Sequence, residues 1–169
     1  MFSDRIRYYP LLCALVVTLI GCQPSGQPDN LPKLYPCSVT VTQENAPCTD
    51  AEVELFSVDP GFHWTVYGRT DSQGKASLVT HGQFPGVPAG SYKVVVSKRE
   101  MFQERAPKVD PNDPTIITGG SPTIIFALID KTYMNRSTTP LELTVAQSAA
   151  HQNFDVGKPV REKIGIMSP

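Results

Sequence analysis

Four groups of residues in this chain have side chains able to do chemistry: the acid of "TDSQGKASL" (Thr70–Leu78), three histidines, an acidic cluster and an aromatic cluster. Asp71-Ser72-Gln73-Gly74 has the look of a cation loop, but calcium takes six or more oxygens, usually from several carboxylates, and Asp71 is the only acid there. The same four residues suit a turn: the Asp71 side chain caps it and Gly74 supplies a positive φ. His63, His81 and His151 share no H-x-x-x-H or H-E-x-x-H spacing and fall beside turns or strand ends, so each reads as a solvated imidazole. No serine lies in G-x-S-x-G and no two cysteines make C-x-x-C. Asp110, Asn112 and Asp113 in "VDPNDPT" are interleaved with prolines, which favours a rigid turn over chelation. Phe62, His63, Trp64 and Tyr67 form the one set able to stack on a sugar, yet alternation puts Phe62 and Trp64 on one face, as core packing would. No catalytic, metal or cofactor constellation is expected.

The elements that must hold these residues are strands. Period-two alternation recurs in "CSVTVTQ" (Val39, Val41), "AEVELFS" (Ala51, Val53, Leu55), "KASLV" (Ala76, Leu78) and "SYKVVVS" (Tyr92, Val94, Val96). It returns in "LELTV" (Leu141, Leu143, Val145) and "NFDV" (Phe154, Val156), with Pro, Gly, Asn and Asp clusters between and no helical period beyond two turns. An all-β sandwich follows. "FHWTVYG" is expected to add a strand with Phe62, Trp64 and Val66 inward, and "PTIIFALID" to be a strand buried on both faces or a packed extended segment. The Asp71–Gly74 stretch then falls in a hairpin connection. "GKPVREKIGIMSP" has no strand partner pattern and is expected to be a loose tail over 157–169.

At the other end, "MFSDRIRYYPLLCALVVTLIGC" has a basic start (Arg5, Arg7) and an apolar run from Leu11 to Ile20. That run is a secretory h-region, since a spanning helix needs about 20 apolar residues. Its end, Leu19-Ile20-Gly21-Cys22, resembles the bacterial lipobox. The resemblance implies a lipoprotein signal peptide over 1–21 and acylation of Cys22 as the mature N-terminus. Gln23 in place of aspartate points to the outer rather than the inner membrane of the envelope, and several acyl chains make such an anchor stable. Residues 22–32, "CQPSGQPDNLP", read as an extended tether. Loss of residues 1–21 leaves 148 residues with 13 basic and 15 acidic side chains, a net charge of −2, with no basic face for nucleic acid.

The order "YPCSVTVTQENAPCTDAEVELF", "GRTDSQGKASL", "PAGSYKVVVSK" resembles the carboxypeptidase regulatory-like domain. The family's recurring features match at Pro47, Ala51 and Val53, at Thr70, Asp71 and Gly74, and at Gly90, Tyr92, Val94 and Val96. "ALIDKTYMNRSTTPLELTV" resembles the segment before the family's penultimate strand, so the likeness spans 33–156. It implies a transthyretin-like or Ig-like seven-stranded Greek-key sandwich, and a module with no catalytic residues. Asn45 stands at a usual turn glycine, Val39 at a common glycine, Asp130 at a frequent proline, and Cys37 and Cys48 at usual aliphatics.

Those two cysteines are the thiols left once Cys13 is cleaved away and Cys22 acylated. In an exported, oxidising compartment they are expected to form a disulfide. Tyr92 is expected to be a buried corner tyrosine with its hydroxyl on a backbone group, and Gly90 to let the chain turn into that strand. Three function classes remain. The leading one is a non-catalytic envelope lipoprotein meeting a protein partner or the wall. The others are a carbohydrate-binding module using Phe62, Trp64 and Tyr67, and an enzyme with an unrecognised site.

Overall fold

Valines at every second position favour strands, because β-branched side chains pack well on a pleated surface whose successive residues face opposite ways. The computed structural model describes residues 28–103, 108–110, 112, 113, 115, 117, 118 and 122–167; the leader and Cys22 lie outside them. Among the described residues the longer strands are β1 (Cys37–Gln43), β2 (Glu52–Ser57), β3 (Val66–Arg69), β4 (Lys75–Ser77) and β5 (Gly90–Ser97). They continue with β6 (Arg99–Gln103), β7 (Thr123–Ala127), β8 (Glu142–Val145), β9 (Ala150–Asp155) and β10 (Glu162–Met167). The unit from Leu31 onward is all-β, with antiparallel sheets.

Three sheets organise these strands. In the front sheet β8, β5, β2 and β3 lie side by side, antiparallel, and Val79–Thr80 and Phe84–Pro85 extend it past β3. In the back sheet β9 runs parallel to β1 and β4 antiparallel to it. The side sheet is β6, β7 and β10. Cys37, Val39, Val41, Ala76 and Phe154 of the back sheet join Val53, Leu55, Val66, Val94, Val96, Leu143 and Val145 of the front sheet in one buried cluster. Each of the valines, leucines and the phenylalanine contributes about 1.5 to 3 kcal/mol by leaving water.

Four expectations need correction. First, residues 162–167 are not loose: β10 pairs with β7 from Thr123↔Met167 and Ile124↔Ile166 to Ala127↔Glu162. Only Ile164 and Ile166 alternate there, and their partner strand is far upstream behind breaker residues, so no local pattern announces the pairing. Arg161 fastens the entry, its guanidinium 3.7 Å above the Phe126 ring and 2.9 Å from Glu100. Second, "FHWTVYG" becomes a strand only at Val66. Phe62 instead meets the Tyr92 ring edge-on at 5.7 Å.

Third, Gly90 makes no turn; it opens β5 with φ 159°, and a Cβ there would touch the Tyr92 ring at 3.5 Å. Fourth, Cys37 and Cys48 are free, buried thiols. The turn between them is two residues long, Glu44 and Asn45 at φ 49° and 66°, a left-handed conformation that asparagine tolerates. The returning chain therefore pairs at Thr42↔Pro47, and the Cys48 N–H donates to the Val41 carbonyl at 2.9 Å. Cys37 is four residues back along β1, about 13 Å away at strand rise, whereas a bridge needs Cα atoms within about 7 Å. An earlier turn, centred between Thr42 and Gln43, would have been required to set Cys48 opposite Cys37.

Burial pushes the Cys37 thiol up to about 11 and, for the same reason first, the Tyr92 phenol up to about 12. Both groups are neutral in the fold while the unfolded chain ionises at lower pH. Their contribution to stability is therefore full below about pH 9 and lost as pH rises through 11 and 12. The urea midpoint should be lower at pH 11 than at pH 8, and Cys37→Ala should narrow that difference. Without reductant, the native protein should resist alkylation and the urea-unfolded protein should take two labels at Cys37 and Cys48. An alkali-insensitive midpoint, or no labelling until reductant is added, contradicts this.

Candidate functional site: a groove on the outer face of the front sheet

The parity that sends Val53 and Leu55 inward sends Glu52, Glu54 and Phe56 outward from β2. Cross-strand register then builds three rows on that face. Arg69, Glu52 and Ser97 make one; Tyr67, Glu54 and Val95 the next; Phe56, Lys93 and Glu142 the third. Residues of such rows are close enough to act on one ligand, with directly opposed Cβ atoms about 4.5 to 5.5 Å apart.

The middle of this face is covered at its flanks. Val95 is 7% and Ser97 9% exposed although both point away from the core. The connection carrying Met134, Asn135 and Arg136 forms one wall, and Arg99 of β6 the other, around a depression of about 410 Å³ floored by Glu52, Glu54 and Val95. Two further depressions adjoin it. One of about 160 Å³ shares Glu54, Phe56 and Arg136 and runs to Trp64; one of about 550 Å³ shares Glu52, Ser97 and Arg99 and runs to Tyr67 and Arg69. The three form a groove across the sheet.

Its charges are arranged. Burial, and then the neighbouring Glu52, push the Glu54 carboxyl above the usual carboxylate range. Arg136 is held over the Phe56 ring, 5.5 Å to its centre, while its Nη2 donates to the Ser57 carbonyl at 3.0 Å. Arg69 pairs with Asp50 at 3.1 Å, and Lys93 with Glu142 at 2.7 Å. Tyr67, 41% exposed, stands beside Glu54 with its hydroxyl end next to Gly82. Carboxylates that accept, guanidinium groups that donate and an exposed ring can hold a hydroxyl-rich chain.

The residues singled out from the sequence are dispersed. Asp71 Oδ1 accepts from the Gln73 N–H at 2.8 Å and the Lys75 N–H at 3.0 Å; the bond from Lys75, then that from Gln73, holds its carboxyl below the usual range. Gly74 closes the turn at φ 70°, its N–H on the Asp71 carbonyl at 3.0 Å. Tyr92 is 2% exposed and its hydroxyl donates to the Pro88 carbonyl at 2.8 Å. Asp110 and Asp113 cap turns at the N–H groups of Asn112 and Thr115. Of the aromatic set, Phe62 packs against the core, Trp64 is half-buried with its ring edge-on to His81 at 5.6 Å, and Tyr67 is exposed. Trp64 and Tyr67 line opposite ends of the groove, whereas His63 is exposed elsewhere.

His151 is not isolated. It lies on β9, and its Nδ1 is 2.9 Å from Ser38 Oγ on β1. Glu52, Glu54 and Arg136 were missed because an outward glutamate on a strand is what any solvated face carries. The signal that marks them is the covered Val95 beside them, which only the tertiary structure supplies. Comparison of the chain with family models, curated proteins and solved structures yields no match.

Proposed function

We propose that this chain is an envelope lipoprotein whose groove on the front sheet, itself a non-catalytic interaction surface, binds a glycan of the cell wall. In this reading the lipid on Cys22 holds the domain at the membrane, outer rather than inner. The domain is a carboxypeptidase regulatory-like, seven-stranded Greek-key sandwich, with β8, β5, β2 and β3 facing β9, β1 and β4. The observation that carries the binding reading is the floor of Glu52 and Glu54 between the exposed Tyr67 ring and the fixed Arg136. Such a floor has acceptors, donors and a stacking surface along one line, which an extended sugar chain satisfies in successive residues. A protein partner is the second reading, supported by Met101 at one end of the groove, 67% exposed.

Two experiments test the proposal. Soluble wall-glycan fragments titrated into the protein should bind saturably, and Tyr67→Ala and Glu54→Ala should each weaken binding about tenfold, or about 1.4 kcal/mol. Equal affinity in both variants, or no saturable binding by the wild type, overturns the glycan reading. For the anchor, Cys22→Ala should abolish lipid incorporation and membrane fractionation; a variant processed and fractionating like the wild type contradicts it.

A further inference from the structure

On the opposite face of the molecule, the back sheet carries a second arrangement with a different chemistry. β9 and β1 run parallel in a register that sets His151 beside Ser38 and Asn153 beside Thr40. His151 Nδ1 lies 2.9 Å from Ser38 Oγ, and its Nε2 lies 3.1 Å from Asn153 Oδ1. An amide oxygen only accepts, so Nε2 carries the proton; Nδ1 is then left with its lone pair and accepts from the Ser38 hydroxyl. That is a nucleophile, a base and a group that orients the base, each within hydrogen-bond reach.

The surroundings suit a small neutral substrate. Ser38 and the exposed His151 border an open depression of about 470 Å³ that Lys75 and Ser77 also line, with Pro36, Leu78 and Pro85 as apolar wall. Ser77 is directly opposite Ser38 across β1 and β4, and Lys75 opposite Thr40. The Ser77 hydroxyl is thereby a neighbour able to donate to a carbonyl oxygen above Ser38, and Lys75 adds a positive charge to the same depression.

We propose that Ser38 and His151 form an acyl-transfer site for short-chain esters, with Asn153 as the positioning residue. Ser38 Oγ bonds to the ester carbonyl carbon while its proton passes to His151 Nδ1. The carbon–alkoxide bond breaks, and the leaving alcohol takes that proton. Water, deprotonated by Nδ1, then attacks the acyl-Ser38 carbonyl; the acid leaves and Ser38 recovers its proton. No other reactant is needed. This activity is separate from the groove of the front sheet and survives or fails independently of glycan binding.

The test uses the full chain in detergent, with a fluorophosphonate probe and 4-nitrophenyl acetate. The probe should label one site, mapped to Ser38, and the protein should hydrolyse the ester above the buffer rate. Ser38→Ala should abolish both, and His151→Ala should lower the labelling rate about 10²- to 10⁴-fold. Asn153→Ala should lower it less, and Asn153→Asp should restore it, which a merely structural role would not do. Thermal melts of each variant check that the fold persists. No labelling of the wild type, labelling at another residue, or wild-type hydrolysis by a folded Ser38→Ala variant overturns the proposal.

Discussion

Tyr92→Ala is expected to destabilise the domain by about 3 to 5 kcal/mol, since it empties a large site in the core. The ring is 2% exposed, meets Phe62 edge-on at 5.7 Å and lies under Gly90, so little nearby can collapse into the space. Its hydroxyl donates to the Pro88 carbonyl at 2.8 Å, four residues upstream, and ties the chain's entry into β5 to the core. Tyr92→Phe keeps the ring and should cost about 1 kcal/mol through that bond alone. Urea unfolding of both variants separates the two contributions. Equal, small losses would place the ring outside the core.

Gly74→Ala is the second large effect, expected at more than about 2 kcal/mol from left-handed strain and a backbone clash together. Gly74 has φ 70°, and a Cβ built on it would lie 2.5 Å from the Val41 carbonyl and 3.2 Å from the Cys48 nitrogen. Those backbone atoms are fixed by the pairing of β1, whose Val41 N–H also donates to the Gly74 carbonyl at 2.8 Å. Asparagine tolerates a positive φ, so it distinguishes the causes. If the close approach dominates, Gly74→Asn is as unstable as Gly74→Ala; a near-native Gly74→Asn would show that conformation alone mattered.

Much of the strand framework was legible because its side chains alternate without interruption. Val39 and Val41, Val53 and Leu55, Val94 and Val96, and Leu143 and Val145 all turn inward. Asp71 and Gly74 make the tight turn their chemistry implies, but not the expected hairpin: β3 before it pairs in the front sheet and β4 after it in the back sheet, so the turn carries the chain from one sheet to the other. What failed depends on geometry that no local pattern carries. The expected Cys37–Cys48 bridge turned on the position of one turn, and two left-handed residues at Glu44 and Asn45 sent Cys48 to Val41 instead. β10 was missed because its pairing residues, Ile164 and Ile166, gain meaning only beside β7.

The sites were less legible than the strands. Ser38 and His151 are 113 residues apart and meet through a parallel register that the intervening folds determine. Glu54 looks in sequence like any outward acid. Its burial comes from the Met134–Arg136 wall, which arrives from a distant connection. Phe62 and Trp64 were expected on one inward face of a strand; neither lies in a strand, Phe62 packs partly buried against the core and borders the same end of the groove as Trp64, and Tyr67 reaches the other end.

A front-sheet groove that meets the wall glycan should be captured there by photocrosslinking in intact envelopes. A benzophenone amino acid is placed at Tyr67 in the groove and, as control, at Thr144, exposed on β8 of the same sheet. The Tyr67 position should capture wall glycan, identified by mass after digestion, and the Thr144 position should not. Equal capture from both positions, or capture of protein alone from Tyr67, would contradict it.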